Sequence, residues 1–69
     1  MSTDEDARLL FHRLNNQLGI ILAHAELLES KVTDPLNRAR AAQVVTSALE
    51  AMRTVRDLRH VTAPSSDAL

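Results

Sequence analysis

The residues of this 69-residue chain that could do chemistry stand close together near its start, in the stretch His12-Arg13-Leu14-Asn15-Asn16-Gln17-Leu18. Leu14 and Leu18 are spaced as neighbours on one apolar helix face. His12 comes two residues before Leu14, roughly 200° away around a helix of 3.6 residues per turn, and is expected to project outward. Asn16 follows one turn later on the same side, then Gly19 and Ala23. The strip offers an imidazole, an amide and two small residues, against which another backbone can approach closely. A neutral imidazole is a nucleophile, and imidazole is largely neutral near pH 7. The chemistry that fits is transfer of a phosphoryl group to a ring nitrogen, with Asn16 orienting the ring, the phosphoryl group or a water. The plainer alternative is an ordinary surface histidine beside an ordinary helix asparagine.

These residues need long helices to hold them. Ser2 followed by Glu5 forms a capping box, and Asp4, Glu5 and Asp6 suit the positive end of a helix. The first helix is expected over about residues 3–32. Thr33-Asp34-Pro35 ends it and starts the next, with Asp34 as N-cap and Pro35 at the first helical position. The second helix is expected over about 35–61, with Arg56, Arg59 and His60 near its negative end. Residues 63–69 read as a flexible tail. The first helix carries a heptad-like seam of Phe11, Leu14, Leu18, Ile21, Ala25, Leu28 and Val32, widened by Leu10 and Leu22. The second carries a broader stripe of smaller residues: Ala41, Val44, Val45, Ala48, Met52 and Val55, with Leu58 at its edge.

The fold class expected is all-α: a two-helix antiparallel hairpin that homodimerises into a four-helix bundle. A lone hairpin leaves one side of both stripes in water, and a two-fold dimer buries them. Counting back across the turn, His12 falls level with about Thr54. Arg53, Arg56 and Arg59 then gather with Arg8 and Arg13 at the end bearing His12, five of the eight basic residues. Such a collar could steer an acidic partner or offset phosphoryl charge. It equally serves as simple compensation of a helix end.

Composition narrows the rest. Phe11 is the only aromatic, there is no cysteine, and the net charge is −1. A disulfide framework and a thiolate metal site are excluded. The charge gives no reason to expect nucleic acid or an anionic membrane as a partner. Apolar runs are too short to span a bilayer, and the acidic start is wrong for a signal peptide, so a cytoplasmic location is expected. His24 and His60 are expected in solvent. No His and carboxylate spacing suits a metal, and neither a glycine-rich phosphate loop nor a Ser/His/Asp arrangement is present.

The run His12-x-x-x-Asn16-x-Leu18, followed by Ile20-Ile21-Leu22-Ala23-x-Ala25-Glu26-Leu27-Leu28, resembles the H-box of the dimerisation and phosphoacceptor (DHp) domain of sensor histidine kinases. It is also similar to phosphotransferases that keep this helical hairpin. The resemblance covers the first helix from Phe11 to Leu28, and the second helix matches in length and pattern only. It implies that His12 is the phosphoacceptor and Asn16 the residue that assists phosphoryl chemistry. The family's acid after the histidine is Arg13 here, which cannot act as a base, and Gln17 stands where the family often has Pro.

The Asn- and Gly-rich nucleotide boxes of the family's ATP-binding domain are absent from these 69 residues. The chain is therefore not expected to be an autonomous kinase. By the resemblance it relays a phosphoryl group between His12 and an Asp of a response-regulator receiver domain. Arg13, Asn15, Gly19, Ala23, Arg53 and Arg56 would form the partner surface. The implied partners are a second copy and a receiver domain or sensor histidine kinase. No cofactor is expected in the chain itself, and Mg2+ would belong to the receiver. The alternative is a catalytically inert DHp-like binding module that inhibits or scaffolds a kinase or response regulator, which Arg13 favours.

Overall fold

The computed structural model describes residues 3–62, with the side chains of residues 5–61. Two helices account for nearly all of it: α1, Thr3–Lys31, and α2, Pro35–Thr62. Both match the expected spans to within one residue. The described residues contain no strand. The expected cap Ser2 and the tail 63–69 lie outside the described residues.

The turn forms where the local chemistry dictates. The Asn37 N–H donates to the Asp34 carboxylate at 2.9 Å, and the Arg38 N–H donates to the Asp34 carbonyl at 2.9 Å. Asp34 is thus the N-cap of α2, and Pro35 occupies the position whose N–H has no helical partner anyway. Bonds also gather at the end of α1. Leu28 O accepts from the Val32 N–H at 3.0 Å, and Leu27 O accepts from the Ser30 hydroxyl at 2.8 Å. The Arg38 guanidinium reaches back from α2 and donates to Val32 O at 3.3 Å. Leu28 O is one of the carbonyls that a helix terminus otherwise leaves without a partner, and the Arg38 bond ties the turn to α2.

The hairpin is a flat slab, 49 × 22 × 12 Å, about one helix thick. Its core is thin. Among the described residues only Ala25, Ala41, Ala48 and Val55 are buried. Small side chains along this line let the two helices approach closely, but they remove little apolar area from water.

The seam of α1 differs from the expected one. The residues of reduced exposure follow Phe11, Asn15, Leu18, Leu22, Ala25, Glu29 and Val32. Leu14, Ile21 and Leu28 were expected within that seam, yet they are exposed by 40%, 47% and 54%. They lie on one flank of the line that faces α2. On α2 the seam runs through Ala41, Val45, Ala48, Met52 and Val55, while Val44 and Leu58 stay exposed beside it. The physical reason is that each helix carries two adjacent apolar rows at heptad spacing, and one antiparallel neighbour covers only one of them.

Candidate functional site

His12 lies in the second quarter of α1, held by uninterrupted helix on both sides. It is exposed, as are Asn16 and Ala23, while Gly19 is half-buried. Helical periodicity places the four on one flank of α1, roughly 90–150° around from the line that faces α2. The backbone at Gly19 is ordinary helix, and a Cβ added there would meet nothing within 4 Å. The strip is therefore open surface, with room for another chain above it.

The opposite flank is different. Ile21, His24, Leu28 and Val44 line a shallow apolar groove between the helices, with Ala25 and Ala41 among its lining residues. It continues toward the turn past Val32, Asn37 and Arg40. His12 and this groove thus occupy different sides of the slab. A partner covering the groove would leave the imidazole accessible.

The expected basic collar is split by the same geometry. Arg8, Arg13, Arg53, Arg56 and Arg59 are all exposed. In the antiparallel pairing, α2 residues near Thr54 come level with His12. Periodicity puts Arg8 on the His12 flank of α1, and Arg53 and Arg56 on the matching flank of α2. Arg13 turns roughly 100° further around α1, onto its outer face. Asn15, expected at the partner surface, sits half-buried on the line facing α2. Of the expected partner residues, Gly19, Ala23, Arg53 and Arg56 share the flank with His12, and Arg13 and Asn15 do not.

Sequence reasoning passed over one feature of this surface. Leu9, Ile20 and Leu27 are exposed by 57–59% and form an outward apolar row on α1 that runs between the His12 strip and the groove, with Ile20 also lining the groove's edge. Their spacing of eleven and then seven residues, close to whole numbers of helical turns, was the available signal. Among the described residues no group of three or more His, Cys, Asp or Glu could hold a metal ion. No helix among them is long and apolar enough to cross a membrane. Comparisons with protein-family models, with curated proteins and with solved structures found no match to this chain.

Proposed function

We propose that this chain is a DHp-like histidine phosphotransfer module that pairs with a second copy as a four-helix bundle. It exchanges a phosphoryl group between His12 and an aspartate of a receiver domain. The observation that carries the reading is the placement of His12 and Asn16. Both are exposed, one turn apart, on the flank away from the open apolar groove.

The step needs no base from this chain. One ring nitrogen of neutral imidazole carries a free lone pair, and that nitrogen attacks the phosphorus of an aspartyl phosphate. The N–P bond forms as the P–O bond to the carboxylate breaks, and the carboxylate leaves as an anion. The positive charge left on the ring is relieved by loss of its N–H proton to water. Arg13 in place of an acid therefore removes no group that this direction of transfer requires. Asn16, one turn on, is within reach of the phosphoryl group by helical spacing. Arg53 and Arg56 supply charge on the same flank. Mg2+ would be brought by the receiver.

Arg13 also supports a second reading, an inert module that occupies a receiver or kinase without chemistry. The two part on one experiment. The chain and its His12→Ala variant are incubated with phosphorylated receiver domains, and acid-labile, base-stable phosphate on the chain is measured. Label on the wild type alone is the expected result. Binding that survives His12→Ala, with no label on either protein, would establish the inert module instead.

A further inference from the structure

The groove on the flank opposite His12 contains a titratable side chain that phosphoryl transfer does not use. His24 lines it together with Ile21, Leu28 and Val44. We propose that a second copy of the chain seats on this groove with His24 inside the contact, so that pairing holds while the imidazole is neutral and weakens once it is protonated. This rests on the homodimer reading above.

The apolar residues of the groove face recur every seven positions on both helices: Leu14, Ile21 and Leu28 on α1, and Val44, Ala51 and Leu58 on α2. Two copies of such a face related by a two-fold along the slab present matching rows to each other. The broad side of the slab lies within 49 × 22 Å, a bound of roughly 1,100 Å² that leaves room for the ~800 Å² per partner of a standard stable interface. Among the described residues the hairpin buries only three alanines and a valine, a small core that such cover would enlarge. A second copy is the partner always present at matching concentration.

The electrostatics follow from the residues that face His24. On α1 its neighbours in the groove are Ile20, Ile21 and Leu28, none of them charged. From α2 the cation among the residues lining the groove's continuation is Arg40, and no carboxylate is among the groove's lining residues. A two-fold along the slab brings a second His24 and a second Arg40 to the same level. Protonation would then place two imidazolium groups near two guanidinium groups in an apolar contact without a counter-charge.

Two protons, one per copy, must be released for pairing. Pairing is therefore strongest while the imidazole is neutral and is lost as pH falls far enough to protonate it. Once protonation of the free chain is under way, the dissociation constant should climb by up to about a hundredfold per pH unit, until the paired state itself takes up protons.

The test is sedimentation equilibrium of the full chain at pH 7.5 and 5.5, for wild type, His24→Gln, His12→Ala, His60→Ala and Ile21→Asp. The expected result is a wild-type dimer whose dissociation constant rises by more than about tenfold at the lower pH. His24→Gln should stay dimeric at both values, while His12→Ala and His60→Ala keep the wild-type pH dependence. Ile21→Asp should be monomeric at pH 7.5, which places the contact on the groove. A dimer indifferent to pH, or one whose pH dependence survives His24→Gln, overturns the inference and leaves the homodimer standing. A dimer untouched by Ile21→Asp overturns it by placing the copy elsewhere. A chain that is helical yet monomeric at pH 7.5 refutes the homodimer itself.

Discussion

Replacing Gly19 with Ala separates what the helix needs from what a partner needs. Gly19 lies in the interior of α1 with no positive φ, so the backbone makes no use of its freedom. A Cβ at this position meets nothing within 4 Å. The new methyl therefore costs no packing. Glycine in a helix interior is less favourable than alanine by about 1 kcal/mol, largely because the unfolded chain has more freedom to lose. The variant is expected to be more stable by about 0.5–1 kcal/mol, or a rise in Tm of roughly 2–8 °C for a domain of this size. Thermal unfolding followed by far-UV circular dichroism, at matched protein concentration, measures this directly. The second readout is phosphoryl uptake on His12. If Gly19 serves close approach of a receiver, uptake falls while stability rises. A variant less stable than wild type would refute the reasoning. It would mean that something packs against the Gly19 Cα in solution, so that the strip from His12 to Ala23 is not free surface.

Two further predictions concern the frame that holds the site. Asp34→Ala removes the acceptor of the Asn37 N–H bond, from an α2 whose first turn carries no acid, and should cost about 1 kcal/mol. Asp34→Asn keeps an acceptor and should lose only a few tenths by the same measure, which urea midpoints at constant slope will resolve. Ala48→Leu places three more carbons on the line where the helices meet, and should destabilise by about 1–3 kcal/mol in the same assay. An unchanged midpoint would mean the helices do not pack as closely at Ala48 as its burial indicates.

The helix boundaries were legible because their causes are local. Thr33-Asp34-Pro35 carries an N-cap and a proline within three residues, and both act where they stand. The outward position of His12 was legible too, since it follows from periodicity against any apolar face that includes Leu18. The seam was legible only as a set of rows. Phe11, Leu18, Ala25 and Val32 face α2 as expected, but the alternate positions are Asn15, Leu22 and Glu29 rather than Leu14, Ile21 and Leu28. Composition points to the second set, because leucine and isoleucine are more apolar than asparagine and glutamate. Within the hairpin, however, contact is governed by the small residues of α2, which fix how the helices rotate. Choosing between two adjacent rows at heptad spacing requires knowing the neighbour, and a sequence does not display its neighbours. Asn15 follows from the same choice of row: with Asn15 rather than Leu14 on the line facing α2, its side chain is half-buried.

The turn also settles the topology of any assembly. A hairpin joined by so few residues has an obvious rival, in which the connection straightens and α1 and α2 fuse into one rod that exchanges halves with another rod. Pro35 opposes this, because its ring disfavours a helical Asp34 and it has no N–H to continue the ladder. The Arg38 guanidinium on Val32 O closes the bend from the far side, and straightening would forfeit that bond together with the cap. Swapped rods are thus disfavoured before any second chain arrives. In any assembly, the two arms that pair across the turn therefore belong to the same chain.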